Sequence, residues 1–286
     1  MTISVIIPTA RDSDALAPLL EALRAQVCEA PFEVIVVNDR PATRRKDAPF
    51  ARVLRGEGKG PARARNLGAA HAGGTFLLFL DDDVMVDRFY LARVWREIEA
   101  RPECAVSGAQ LAVDRNNSFS LAAEWMLHLF VDGEGSRFAA SNALALRRRD
   151  FQRVGGFDPS FPLAAGEDRE FCARWVAAGF QIVTVRDLAI QHQFPQSFAS
   201  LARQQWRYGR GAFHFQNRAH GEGPRIRGAH YYWPMFAEAR RRYGWSRGSR
   251  VGILCWISQG ILACGYLRER WLPAARTPSF EETYAE

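Results

Sequence analysis

The chain is expected to fold as an α/β protein, a mostly parallel sheet with flanking helices, followed by a C-terminal helical appendage. Three observations carry this. Short apolar, β-branched runs alternate with segments of helical period over the first hundred residues. Several of those runs stop abruptly at polar residues. The last third changes character and becomes arginine-rich with helical spacing.

Ile3-Ser-Val-Ile-Ile7 and Glu33-Val-Ile-Val-Val37 read as strands covered on both faces, as parallel strands are. Between them Leu16, Leu19, Leu20, Leu23 and Val27 recur at helical spacing, with Asp12 or Ser13 available as N-cap. Arg52-Val-Leu54 makes a third, short strand. Pro61 suits the first position of a helix running to about His71, and Gly73-Gly74 stops it. Thr75-Phe-Leu-Leu-Phe-Leu80 is the most apolar strand candidate and runs directly into Asp81-Asp82-Asp83. A helix follows, with Leu91, Val94, Trp95 and Ile98 on one face. Such alternation implies right-handed βαβ units, whose ligands bind beyond the carboxyl ends of the strands. Three of those ends are polar: Pro8-Thr9 with Arg11 nearby, Asn38-Asp39, and the aspartate triplet.

The middle is less regular. It offers an extended segment from Arg137 to Leu146, a loop at Gly155–Pro159, a helix from Glu167 to Ala178 and a strand at Gln181–Val185. From Ser197 the chain is helical, loops through Gly221 to Gly228, and ends in an apolar segment, Val251–Leu267, with a polar tail. The expected division is a domain at 1–215 and an Arg-rich appendage at 216–286.

Composition bounds the function. At 286 residues, 48% hydrophobic and 24% charged, the chain is neither disordered nor fibrous. Residues 201–286 hold 14 Arg against six Glu, with no Lys or Asp, a balance of +8; the first 200 residues balance at −1. Such a basic region calls for an anionic partner: nucleic acid, a membrane surface or a phosphorylated ligand. Five scattered cysteines without a C-x-x-C pair read as a reduced compartment. With no basic region before the apolar burst at Ile3–Ile7, no secretory signal is expected, and the expected location is cytoplasmic. Val251–Leu267 is short of the roughly 20 apolar residues of a bilayer span and contains Ser258 and Gln259. It reads as a buried helix, an interfacial helix or an oligomer contact. The arginines at 240–242, 247 and 250 before it suit the anionic inner face of the cytoplasmic membrane.

Three adjacent aspartates after a buried strand repel one another unless a cation holds them. In an extended backbone Asp81 and Asp83 would share one side and Asp82 the other. Two hard oxygen donors suit Mn2+ or Mg2+ bridging to phosphate oxygens; a solvated acidic turn is the plainer alternative. Gly56-Glu-Gly58-Lys-Gly60 enters the helix at Pro61, so its backbone N–H groups favour an anion, with Lys59, Arg63 or Arg65 adding charge; taken alone, a plain surface loop is the better reading.

Val5-Ile-Ile-Pro-Thr9, Val36-Val-Asn-Asp39, Gly60-Pro-Ala-Arg-Ala-Arg-Asn66, Phe79-Leu-Asp-Asp-Asp83, Ser141-Asn142-Ala143, Val154-Gly-Gly-Phe-Asp158 and Gly166-Glu-Asp168 fall in the order seen in family 2 glycosyltransferases. The chain resembles that family over residues 1–215. The resemblance implies an inverting enzyme with the GT-A fold, a nucleotide-sugar donor and a hydroxyl acceptor, glycan, lipid-linked or cell-envelope. It implies that Asp39 recognises the nucleotide base, with Pro8, Thr9 and Arg11 lining the pocket. Arg65, Asp82 and Asn142 fall at donor-binding positions. Asp81 and Asp83 match the outer members of the D-x-D motif, which holds the divalent metal, and His192 matches a histidine that completes the metal shell in some members. Asp168, beside Glu167, matches the general base. Gln204-Gln-Trp-Arg-Tyr208 is similar to the Q-x-x-R-W signature of processive relatives, with Tyr208 in place of Trp. Arg203, Arg207 and Arg210 share one helical face and could meet acceptor or diphosphate; a solvated basic face is the alternative.

Two other classes compete. A sugar-nucleotide nucleotidyltransferase also uses a Rossmann-like sheet and carboxylate-bound metal, but it leaves Glu167-Asp168 without a job. A nucleic-acid or membrane-binding module would use the basic third alone and leave the first 200 residues unexplained; nucleic acid is not the expected partner.

Overall fold

The computed structural model describes residues 2–11, 13–40, 50–134, 137–161, 164–218 and 229–272. Asp12, the loop at 221–228 and the polar tail lie outside them. The described chain divides into two compact units: the first reaches Leu111 and resumes from Glu134 to His192, and the second comprises Ala112–Gly133 and the described residues from Gln193 to Leu272. Residue 215 falls inside a helix of the second unit.

In the first unit, β1 (Ile3–Thr9), β2 (Phe32–Asn38), β3 (Ala51–Arg55) and β4 (Phe76–Leu80) pair in parallel in the order β3-β2-β1-β4. Every residue of β1 and β4 is buried, which is why both read as continuous apolar runs. Helices α1 (Ser13–Arg24) and α2 (Pro61–His71) make the crossovers, and α3 (Tyr90–Ala100) lays Leu91, Val94 and Ile98 into the core. Beyond β4 the sheet turns antiparallel. β7 (Ala143–Arg147) pairs antiparallel with both β4 and β6 (Cys104–Ala112), and β5 (Val84–Met85) pairs antiparallel with β8 (Gln181–His192). The full order is β3-β2-β1-β4-β7-β6-β8-β5. Helices α5 (Arg148–Val154) and α6 (Glu167–Ala177) complete the unit.

That order forces the sheet to curl. Four strand spacings separate β4 from β5, about 19 Å on a flat sheet. The chain from Leu80 to Val84 has four peptide steps, and these reach at most about 14 Å. Closing the gap bends β8 and β5 round towards the end of β4. Gly108 permits the bend: a Cβ there would come within 1.6 Å of the Leu188 carbonyl oxygen on β8.

The second unit is helical: α4 (Ser118–Glu134), α7 (Phe198–Arg218), α8 (Ala229–Tyr243) and α9 (Trp245–Trp271). Its core gathers Leu121, Ala122 and Met126 of α4, Leu201 of α7, Ala239 of α8, and Val251 and Cys255 of α9. Glycines set how closely α9 is approached. A Cβ on Gly209 would lie 1.9 Å from the Leu262 carbonyl oxygen, and one on Gly265 would lie 2.3 Å from that of Trp206. Gly209→Ala is therefore expected to force α7 and α9 apart and destabilise the protein by at least about 1–3 kcal/mol. A thermal melt equal to wild type would contradict that packing.

Candidate active site

The register of the sheet assembles the site. β1 and β2 end level, with Thr9 opposite Asn38. β1 and β4 align Ile6 with Phe79, so continuing the register sets Asp82 beside Thr9. Antiparallel β7 begins opposite Leu80, which brings Asn142 to Asp81, and Asn142 O accepts the Asp81 N–H at 3.3 Å. β8 pairs His192 with Val84, directly after the triplet. Polar residues from five separate stretches of chain thus meet at one edge.

The triplet does not run extended. It turns at Asp82 and Asp83, so the expected alternation fails: Asp82 and Asp83 both meet Arg11, at 3.5 Å and 3.2 Å, while Asp81 points to Arg65. Thr9 Oγ1 donates to Asp82 and accepts the Arg11 N–H. Burial, with Asp83 beside it, pushes the Asp82 carboxyl up to about 6. Burial acts the same way on Asp83, but His192 Nε2 at 3.2 Å and Arg11 outweigh it and hold that carboxyl below its ordinary range. His192 shows the reciprocal effect: burial disfavours its charge, Asp83 more than restores it, and its pKa is raised.

Arg65 occupies the centre. It is buried at 3% exposure, donates from one guanidinium nitrogen to Asp81 Oδ1 at 2.6 Å and from the other to Glu167 Oε1 at 3.1 Å, and lies 5.5 Å over the Phe157 ring. It therefore ties the end of β4 to the start of α6. Burial, reinforced by Asp168, pushes Glu167 up to about 7 despite Arg65. Its Oε2 is buried with no hydrogen-bond partner. Asp168 is half-buried and accepts the Arg169 N–H at 2.8 Å; burial raises its pKa as well, and Asp81 adds to the rise. The Asp81 charge also contributes to the raised pKa of His192.

The glycine loop holds an anion, but the anion is the protein's own. Asp39 Oδ1 and Oδ2 accept the N–H groups of Gly58 and Gly60 at 2.9 Å and 2.8 Å. Burial raises Asp39, and those N–H groups offset part of the rise. A Cβ on Gly56 would lie 2.5 Å from Asp39 Oδ1, so the loop can close over the carboxylate only with glycine there. Lys59 and Arg63 both turn to exposed Glu57 instead.

Two supporting residues escape a sequence reading. Gln110, on β6, accepts a hydrogen bond from Asn142 Nδ2 at 2.7 Å and orients it; the Asn142 Oδ1 is buried and unpartnered. Asn66 pairs with the backbone of Phe157 in both directions, at 2.7 Å and 2.9 Å, and so fixes the Gly-Gly-Phe-Asp loop against α2. An amide facing a double glycine was the available signal. Arg203, Arg207, Tyr208 and Arg210 lie on α7 in the second unit. Arg203 and Tyr208 are exposed and Arg207 is half-buried, while Arg210 pairs with the buried Glu269 of α9.

A sheet that gathers an aspartate triplet and a histidine at one edge, with a Glu-Asp pair tied to them through Arg65, sets these groups where open α/β sheets bind their ligands. Residues 4–155, more than half the chain, match the family described as Glycosyl transferase family 2. The chain belongs to that family. Residues 128–195 also match the N-terminal domain of galactosyltransferase. Over 198 residues the chain is 28% identical to the pre-mycofactocin glycosyltransferase of Mycobacterium tuberculosis, covering 63% of this chain and 40% of that protein. The chain thus spans two fifths of the length of that relative. An uncharacterized glycosyltransferase of Haemophilus influenzae is 34% identical over 105 residues, 35% of either chain. The mannosyltransferase PcManGT of Pyrobaculum calidifontis, solved in complex with GDP-mannose and Mn2+, superposes with a TM-score of 0.59 at 18% identity, over 95% of this chain and 81% of that one. The fold is GT-A.

Proposed function

We propose that this chain is an inverting glycosyltransferase that moves a sugar from a nucleotide-sugar donor to a hydroxyl of a glycan, lipid-linked or other cell-envelope acceptor. One observation carries the reading: Arg65 links the aspartate triplet to Glu167, and Asp168 follows it on the same helix start. Leaving-group stabilisation and proton removal need groups on opposite sides of one reacting carbon, and this link fixes the two sets relative to each other.

The residues fit a divalent metal. Asp83 and His192 lie together, 3.2 Å apart, and supply one oxygen and one nitrogen donor. Asp81 is engaged by Arg65, Asp82 and Asp83 by Arg11, and no ready group of three donors stands assembled among the described residues. That suits Mn2+ or Mg2+, which takes one or two carboxylates and completes its shell with substrate phosphates and water. Such an ion would neutralise the departing diphosphate. Arg11 flanks the same carboxylates and adds positive charge. Thr9 and Asp39 line the end of the sheet where a base would lie. Asp168 takes the proton of the incoming hydroxyl, and one displacement inverts the anomeric carbon. The GDP-mannose and Mn2+ bound by the archaeal neighbour support a nucleotide sugar with metal as the ligand pair.

Thermal melts against UDP-, dTDP- and GDP-sugars, each with and without Mn2+ or Mg2+, test the reading. Stabilisation is expected with one nucleotide class and only with metal present, because a ligand that binds the native state alone shifts the midpoint by mass action. Well-folded protein that no sugar nucleotide stabilises would overturn it.

A further inference from the structure

We propose that α9 lies in the plane of an anionic phospholipid surface, with one face in the headgroup and acyl boundary and the other in the protein. The inference is independent of the transfer reaction and rests on how α9 divides its two faces.

At 100° per residue, Ile253, Trp256, Ile257, Gly260, Cys264 and Trp271 fall on one stripe, and every one of them is exposed. Four of the six are large and apolar, an exposure that a solvated helix face does not need. The opposite face, with Gly248, Val251, Cys255, Ser258, Gly265 and Glu269, is buried against the other helices of the second unit. Glu269 there is paired with Arg210 and, at 2.6 Å, with Arg268.

This division decides between spanning and lying flat. The helix is long and apolar enough to cross a bilayer, with a mean hydropathy of 1.3 over its best window. A crossing helix must satisfy lipid over its full circumference or bury the rest in other spans. Here the inner face is held by α7 and α8, whose own outward residues include Arg203, Arg241 and Arg242. Among the described residues of α9, the exposed stripe is the face turned away from those helices, so the helix sits at the interface.

Charge selects the occupant. Arg250 and Arg270 are exposed at the two edges of the stripe, and Arg247 is exposed one turn before it. Trp245 and Trp271 stand at the two ends of the helix, largely exposed, where amphipathic rings suit the headgroup level. The sole acidic residue of α9, Glu269, is buried. A second copy of the chain meeting this stripe would set arginine against arginine in either orientation, with no exposed acid on α9 to answer it. Anionic headgroups supply the missing charge, at a distance short enough to escape screening.

Flotation of the full chain with vesicles tests this. Vesicles of phosphatidylcholine with about one-third phosphatidylglycerol are expected to carry the protein, and pure phosphatidylcholine at least tenfold less of it. Ile253→Asp with Ile257→Asp should lower binding to the anionic vesicles about tenfold or more with an unchanged melting temperature, since both positions are exposed. Arg250→Gln and Arg270→Gln should each lower it about fivefold. If the double aspartate variant melts early, Ile253→Asn alone replaces it. No flotation of wild type on anionic vesicles would overturn the proposal. So would a concentration-dependent dimer, seen by sedimentation, that the Ile253 and Ile257 substitutions disperse.

Discussion

Arg65→Met is expected to destabilise the protein by about 3–5 kcal/mol, the cost of removing one partner from a buried ion pair. The guanidinium is almost wholly buried and serves two carboxylates from elements far apart in sequence, Asp81 after β4 and Glu167 at the start of α6. Methionine fills much of the volume but answers neither charge. Both acids then lose their shared partner, and Glu167, already raised to about 7 by burial, will be neutral at physiological pH. Arg65→Lys keeps a charge but lacks the fork that spans both acids, and should fall between. Glu167→Gln in the Arg65→Met background replaces an acid that must bind a proton by an amide that need not, so the double variant should be more stable than the sum of the two singles. Urea unfolding of wild type, Arg65→Met, Glu167→Gln and the double variant checks this. Strict additivity would mean that the bridge carries no coupling, and that Arg65 serves the donor side alone.

Much of this bridge could not be read from the sequence. β1, β2 and β4 were legible because burial on both faces leaves an unbroken apolar run. The polar ends of those runs were legible for the same reason, since charge after such a run must find a partner. Other elements were hidden by their surroundings. Residues 121–126 of α4 are all buried, Glu124 included, so the helix has no exposed face there and no amphipathic period to detect. β6 carries Ser107, Gly108 and Gln110, of which the glycine answers to a carbonyl on β8 and the glutamine to Asn142. β8 continues through Arg186 and Asp187 to His192 because its outer residues are exposed and need not be apolar. Within the site, the residue types at each strand end were legible, but their pairings were not. Whether Arg65 faces a phosphate or two acids of its own chain depends on a turn at Asp82-Asp83 and on a contact 102 residues away. No local pattern encodes either. The Asp39 carboxylate carries the same lesson: a glycine loop that by itself reads as plain surface closes on the carboxylate that follows β2.

Asp168→Asn should lower the rate of transfer by about 10²–10⁴-fold, the usual contribution of a positioned general base, and leave donor binding close to wild type. The two acids at the start of α6 divide the work by environment. Glu167 has one oxygen committed to Arg65 and is 5% exposed, so it positions the bridge; Asp168 is half-buried and accepts only a neighbouring backbone N–H at short range. It is the acid that an incoming hydroxyl could reach. Its raised pKa makes it a better base than an ordinary carboxylate, because proton transfer gains driving force as the acceptor's pKa approaches that of the medium. The direction with pH follows. A base must be ionised to act, so kcat/KM should climb as pH rises through the raised carboxyl range, later than for a solvated aspartate, and fall away below it. Glu167 at about 7 titrates in the same window and couples to Asp168, so the limb reports the pair. Asp168→Asn should remove that acid limb from the residual rate while the metal-dependent thermal shift with donor persists. Equal loss of donor binding and transfer would strip Asp168 of the role, and leave the Glu-Asp pair as part of the frame that holds the triplet in place.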